Sequence, residues 1–283
     1  MTAEETILFS DLDGTLFNSE GAVSKTDREA IERYIAAGGR FALSTGRSPK
    51  NALRFIGDLP TNAPSVVFNG AGVYNFSTRE YDFLTLLDKE WIFPLFRWAI
   101  TEIPGLDLQI YTENEILYCT PEHTARQDFL DIHRPARFVS LDSLVGESVV
   151  KALLLPQQKE YDSRLGDRLK KTAPDHFDLK LGAVILGHAR ISYYEIMPLN
   201  ATKGSALRKL RSHPVAAGRT FFAAGDYWND YEMLMEVDVP VAPANAIDEI
   251  KALCKYVSVS NDKGAVAHII DHIIPQHSRR VAQ

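Results

Sequence analysis

Ile7-Leu8-Phe9-Ser10-Asp11-Leu12-Asp13-Gly14-Thr15 is the stretch from which the fold can be read. A short apolar run, Ile7-Leu8-Phe9-Ser10, ends at an acidic turn, the pattern of a buried strand. Two carboxylates, Asp11 and Asp13, then stand two residues apart where the strand ends. In open α/β sheets, ligands bind outside the carboxyl ends of strands. Adjacent acids at such a place repel unless a cation lies between them or one keeps its proton. A hard cation such as Mg²⁺ takes carboxylate and carbonyl oxygens, and a protonated Asp can act as a general acid. Gly14 allows a tight turn, which leaves the backbone N–H groups around Leu12, Gly14 and Thr15 free for phosphate oxygens. Read alone, the same residues also make an ordinary Asx-type turn, because Asp and Gly are common turn formers.

Working outward, strand and helix alternate. Thr26-Asp27-Arg28-Glu29 has the form of a capping box. Ile31, Tyr34 and Ile35 give a helical stripe that Gly38-Gly39 stops. Phe41-Ala42-Leu43 is the next strand and 49–56 the next helix. Ser65-Val66-Val67-Phe68 is a third strand, ending in Asn69-Gly70. The C-terminal part repeats the alternation, with helices at 204–210, 230–237, 247–253 and 265–274. Its strands are Thr220-Phe221-Phe222-Ala223-Ala224, Val239-Pro240-Val241 and Tyr256-Val257-Ser258-Val259. The last residues, 277–283, are expected to fray. Such alternation predicts a Rossmann-like α/β core, a parallel sheet with helices on both faces.

The middle has a different texture. Leu108-Gln109-Ile110-Tyr111 and Ile116-Leu117-Tyr118 flank a polar turn as a hairpin would. A strand at 149–155 precedes a charged helix at 159–171, and 177–181 and 190–196 read as further strands. The expectation is an α/β core made of 1–82 and 197–283, with an α+β unit inserted at 83–196. Short linkers near Tyr81-Asp82 and Met197-Pro198 would form a hinge, letting the inserted unit close over Asp11.

Three further groups sit where the core strands end. Ser44-Thr45-Gly46-Arg47 offers a hydroxyl and backbone donors. Lys203-Gly204 opens a helix, placing an ammonium beside a helix N-terminus, a natural anion site. Gly225-Asp226-Tyr227-Trp228-Asn229-Asp230 supplies more oxygen ligands. Each alone has an ordinary reading: a loop Thr, a solvated Lys, an acidic turn capping a helix. Together they put acid, acid, hydroxyl, ammonium and acid at successive strand ends of one sheet.

The set Asp11-x-Asp13-x-Thr15, Thr45-Gly46-Arg47, Lys203-Gly204 and Gly225-Asp226-x-x-Asn229-Asp230 resembles the haloacid dehalogenase-like (HAD) hydrolase superfamily. Asn69-Gly70-Ala71, Asn245-Ala246 and 260–266 are similar to its Cof-type phosphatase branch, which carries a large C2-type cap. The resemblance implies a phosphatase acting through an aspartyl phosphate. Asp11 would be the nucleophile. Asp13 would protonate the leaving alcohol and then activate water. Thr45, Gly46 and Lys203 would hold phosphoryl oxygens, with Asn229 reaching phosphate or substrate. Mg²⁺ would be held at Asp11, Asp226 and the Asp13 backbone carbonyl, with Asp230 supporting its waters or orienting Lys203. The second acid points to hydrolysis or mutase chemistry, because dehalogenases of the superfamily lack it. A phosphomannomutase-type sugar phosphomutase and a catalytically idle regulatory protein are the alternatives.

Composition limits the partners. The 283 residues suggest one large domain or two moderate ones, and 45% are hydrophobic, ample for a core. A net charge of -6 argues against nucleic acid or an anionic membrane as partner. The acidic first residues do not fit a signal peptide, and no apolar run approaches the ~20 residues of a membrane helix. Cys119 and Cys254 make no disulfide framework and read as two buried thiols. The expectation is a cytoplasmic protein, monomer or small homo-oligomer, acting on a small phosphorylated metabolite, sugar phosphates first. His268 and His272 lie four apart on a helix as zinc ligands can, but a solvated face is the favoured reading. Trp91, Phe93, Phe96 and Trp98 are expected to pack in the cap core.

Overall fold

The structure is a computed structural model and describes residues 2–125, 130, 136–157, 159–186 and 189–281. The chain divides into two compact units, one of Met1–Leu84 with Thr202–Gln283 and one of Thr85–Ala201.

In chain order the first unit opens with β1 (Thr6–Ser10), α1 (Lys25–Ala36), β2 (Arg40–Leu43), α2 (Pro49–Ile56), β3 (Ser65–Val67), β4 (Gly72–Asn75) and β5 (Glu80–Leu84). The inserted unit holds α3 (Lys89–Glu102), β6 (Asp107–Thr112), β7 (Ile116–Tyr118), β8 (Arg137–Phe138), β9 (Val149–Leu155), α4 (Lys159–Thr172), β10 (Asp178–Leu186) and β11 (Ala189–Met197). The first unit resumes with α5 (Lys203–Leu210), β12 (Thr220–Ala224), α6 (Tyr231–Glu236), β13 (Val239–Ala242), α7 (Asp248–Leu253) and β14 (Tyr256–Val257). A final helix then runs from α8 (Ala265–His268) through the wider turn Ile269–Ile273 into α9 (Ile274–Val281).

The core sheet has the order β14-β13-β12-β1-β2, and every pairing in it is parallel. β1 leads outward to β2 on one side, while β12, β13 and β14 extend on the other. The carboxyl ends of β1 and β12 therefore flank the point where the strand order reverses, the crevice in which such sheets bind ligands. Successive side chains on a strand face opposite sides. Leu8, Phe41, Phe222 and Ala224 accordingly pack with Ile31, Tyr34, Ala52 and Ile269, from α1, α2 and the final helix. Ile7, Phe9, Phe221 and Ala223 pack on the other face with Leu207, Met233 and Ile250, from α5, α6 and α7. The rings of Phe9, Phe41, Phe221 and Phe222 are buried, each contributing about 1.5–3 kcal/mol. β3 lies beside β2 through a bridge between Ser44 and Val66 and a bond from Leu43 N to the Ser65 hydroxyl, then pairs antiparallel with β4 in a small three-stranded sheet.

The inserted unit has a six-stranded sheet of order β10-β11-β9-β6-β7-β8, antiparallel except for the β7–β8 pair. Its apolar face, including Leu108, Ile110, Ala152 and Leu154, packs on Phe93, Phe96, Leu165 and Leu169 of α3 and α4.

Four local expectations are corrected. The cap of α1 is Ser24, whose hydroxyl accepts from Asp27 N at 3.0 Å, so the helix is capped two residues before Thr26. The helix does not fray from residue 277: it continues to Val281, and His277 is buried, edge-on to Phe222 and 3.2 Å from the Tyr256 hydroxyl. Trp91 is not core. It is 47% exposed and stacks on His176 with ring centroids 3.5 Å apart. Cys254 is half-buried, whereas Cys119 is buried. Phe93 and Phe96 are core as expected, and no described helix is long and apolar enough to cross a membrane.

Candidate active site

β1 ends in the register that places Asp11 against β12, for Asp11 N donates to Ala224 O at 2.9 Å. The turn that follows closes with Phe17 N on Leu12 O at 2.7 Å. Leu12 itself points into the core, so it can offer a ligand only its backbone. Gly14 has φ +81°, and a Cβ there would meet Asp226 Oδ2 at 2.4 Å. Only glycine serves: the conformation is left-handed, and the neighbouring loop has taken the space. Thr15 is buried and its hydroxyl donates to Asp226 Oδ1 at 3.1 Å, tying the two loops together. Asn245 donates to Gly14 O at 2.7 Å and accepts from Asn261 N, fixing the turn from its other side.

Lys203 comes from the first turn of α5, whose cap Thr202 accepts from Ser205 N. The ammonium is fully buried and donates to Asp11 Oδ1 at 2.6 Å and Asp230 Oδ1 at 2.7 Å. Asp230 Oδ2 accepts from Asp226 N and Tyr227 N, which folds the acidic turn over the carboxylate. The Asp230 side chain is fully buried and braced on both oxygens. The position of Lys203 also depends on Gly70, at φ +103°, where a Cβ would stand 2.0 Å from Thr202 O. Gly70→Ala is expected to cost about 2–4 kcal/mol, combining left-handed strain with displacement of the α5 N-terminus. The melting temperature should fall by several degrees, and an unchanged melt would show that Gly70 and Thr202 are not in close contact.

The electrostatics follow from crowding. Asp11, Asp226 and Asp230 bring carboxylate oxygens within 4.8 Å of one another. Burial and then the Asp230 charge hold the Asp11 carboxyl well above the usual carboxylate range, against the pull of Lys203. Burial, again followed by Asp230, pushes Asp226 up to about 6. Burial disfavours the Lys203 charge, but Asp11 and Asp230 outweigh it and raise this ammonium above its ordinary value. One ammonium cannot neutralise three carboxylates. A hard divalent cation would, and the all-oxygen donor set has the right chemistry for Mg²⁺.

The remaining expected residues are placed differently. Asp13 turns its carboxylate away to Arg47, which donates from Nη2 at 2.6 Å and Nε at 2.9 Å. Thr45 is buried at the end of β2 and its hydroxyl accepts from Arg47 N at 3.1 Å. Gly46 runs close to Asn69, whose Oδ1 would lie 2.8 Å from a Cβ there. Asn229 is exposed on the short turn before α6. Arg47, Asn245 and Gly70 take structural parts that no local periodicity reveals, although each stands inside or beside a motif quoted above. His268 is partly buried and its Nδ1 lies 3.0 Å from the Ser258 hydroxyl, so the expected solvated face is packed at His268, while His272 is exposed.

A family model for haloacid dehalogenase-like hydrolases matches residues 8–270. The chain belongs to this family. Among relatives, the 5-amino-6-(5-phospho-D-ribitylamino)uracil phosphatase YwtE of Bacillus subtilis is 27% identical, covering 93% of this chain and 96% of its own. Phosphatase YwpJ of the same organism is 26% identical, over 93% and 98%. Solved structures agree on the fold. A haloacid dehalogenase-like hydrolase from Bacteroides thetaiotaomicron superposes with a TM-score of 0.77 at 23% identity, over 95% and 99% of the chains. The subclass IIB sugar phosphatase BT4131 gives 0.73 at 21%, over 95% and 98%. The family match makes the chain a hydrolase, and the two Bacillus relatives, each covering almost all of it, are phosphatases.

Proposed function

We propose that this phosphatase hydrolyses monoesters of small phosphorylated metabolites, sugar phosphates foremost, through a phosphoryl group carried on Asp11. The observation that carries the reading is the buried Lys203 ammonium clamped between Asp11 and Asp230 at the switch point of the sheet. Lys203 holds Asp11 Oδ1 and fixes the side chain, while no described residue donates to Oδ2. That free oxygen is suited to attack phosphorus. A P–O bond to Asp11 forms as the ester P–O bond breaks, and Asp13 gives its proton to the departing alkoxide. Water then attacks the phosphorus of the acyl phosphate. Asp13 takes the water's proton, and inorganic phosphate leaves a restored Asp11 carboxylate. Throughout, Lys203 and the Thr45 hydroxyl balance charge on the phosphoryl oxygens. Asp11, Asp226 and the backbone at Asp13 would hold Mg²⁺, with Asp230 keeping Lys203 oriented. The bound ion supplies positive charge that lets a dianion approach the carboxylates.

The substrate class rests on the relatives: YwtE acts on a phosphorylated ribityl compound, and BT4131 is a sugar phosphatase. The inserted unit is proposed to supply the specificity. The test is phosphate release in Mg²⁺ from hexose and pentose phosphates, polyol phosphates, nucleotides and p-nitrophenyl phosphate. Sugar and polyol phosphates should give the highest kcat/KM, with free phosphate and no isomerised sugar phosphate. A folded protein that releases phosphate from none of these would overturn the reading.

A further inference from the structure

We propose that Arg47 is the positioning residue for Asp13, so that the general acid is held by a fixed guanidinium and not by its own loop. This rests on the reading of Asp13 as acid and base. The Asp13 side chain is 60% exposed and leaves a turn built on Gly14, so little around it limits its rotation. Arg47 is the opposite. Its side chain is 22% exposed, and its guanidinium carbon lies 4.2 Å from the Phe55 ring centroid and 5.6 Å from that of Phe17. Nη1 donates to Asn51 Oδ1 at 2.8 Å. Its backbone is held too, with N on the Thr45 hydroxyl and O accepting from Phe68 N at 3.0 Å. A planar cation stacked on a ring and pinned at one corner keeps its remaining N–H groups aimed in fixed directions.

Those N–H groups meet Asp13 on both oxygens. A carboxylate offers about four lone-pair sites, and a two-pronged guanidinium takes two. The others stay directed outward, as the exposure of Asp13 requires, and are free for a leaving oxygen or a water. The clamp therefore sets the direction of the acid without consuming it. Its effect on stability should be small, because exposed ion pairs contribute little even where the geometry is good. Its effect on rate should be larger, since misplacing a reacting group by about 1 Å can cost about 100-fold.

The test compares kcat/KM on two substrates, because kcat/KM reports the half-reaction in which the leaving group departs. A hexose 6-phosphate needs its leaving oxygen protonated, whereas p-nitrophenyl phosphate hardly does. Arg47→Gln should lower kcat/KM on the hexose phosphate by about 10- to 100-fold, and on p-nitrophenyl phosphate by less than about 3-fold. In an Asp13→Asn background the same change should cost nothing further, because Arg47 acts through Asp13. Arg47→Lys, which keeps charge and stem but not the fork, should give a smaller loss with the same substrate bias. It carries the test if Arg47→Gln melts early. Equal losses on both substrates, or additive losses on top of Asp13→Asn, would overturn the proposal. If Asp13→Asn itself shows no leaving-group bias, the acid role of Asp13 falls and the proposal falls with it. A bias in Asp13→Asn without one in either Arg47 variant would overturn this inference alone.

Discussion

Asp11→Asn is expected to lower kcat by about 10⁴-fold or more, the scale seen when a covalent nucleophile is removed. The amide matches the carboxylate in size, and its oxygen can still accept from Lys203. Lys203 also keeps its bond to Asp230, so the buried ammonium is not left without an anion. The fold should therefore persist, and the melt should stay near that of the native chain. Binding should persist as well, because one negative charge fewer faces the phosphate dianion. What disappears is the lone pair that attacks phosphorus. Stopped-flow mixing with substrate followed by acid quench should find phosphoprotein in the native chain and none in the variant. Turnover above about one per cent of native would remove Asp11 from the covalent role.

Chelation is expected to have a comparable effect. Three carboxylates within 4.8 Å share one ammonium, and a phosphate dianion must join them. Without a divalent cation, that repulsion should stop both binding and attack. Excess EDTA should bring turnover to background, and Mg²⁺ should restore it. A second readout is independent of activity. A ligand bound only by the folded state at 100 times its dissociation constant adds about 2.7 kcal/mol. Mg²⁺ should therefore raise the melting temperature by several degrees, and Asp226→Asn should blunt the rise. Full turnover in excess chelator, or a melt indifferent to Mg²⁺, would sink this account of the acidic cluster.

The sequence made the core legible because strand ends in a parallel sheet are marked twice, by a short apolar run and by the polar residues after it. Asp11, Lys203, Asp226 and Asp230 could be placed together on that basis, and the fold brings them within hydrogen-bonding or ligand-sharing distance. What escaped reading was decided by tertiary contact. Thr26-x-x-Glu29 has the capping-box form, yet the cap used is the first residue of Ser24-x-x-Asp27. Ser24 is used because Asp27 is buried, where it also accepts from Ala267 N of the final helix. His277 follows Ile270, Ile273 and Ile274 at helical spacing, but an imidazole among polar residues does not announce an apolar seat. The Arg47 clamp joins residues 34 positions apart in sequence, beyond the reach of any helix or strand period. Trp91 resembled a core aromatic until its stack on His176 placed it at the surface.

The discontinuity of the first unit has a consequence for biogenesis. β1 is made before the insertion and its partner β12 only after it, and Lys203 lies 192 positions beyond Asp11. A chain emerging from the ribosome thus carries Asp11, the proposed nucleophile, through synthesis of the whole insertion without the cation that orients it. Loop-closure entropy delays such distant pairings further. On the proposed mechanism, chains halted within the insertion would be chemically silent, and phosphate esters would be exposed to attack only once Lys203 has folded against Asp11.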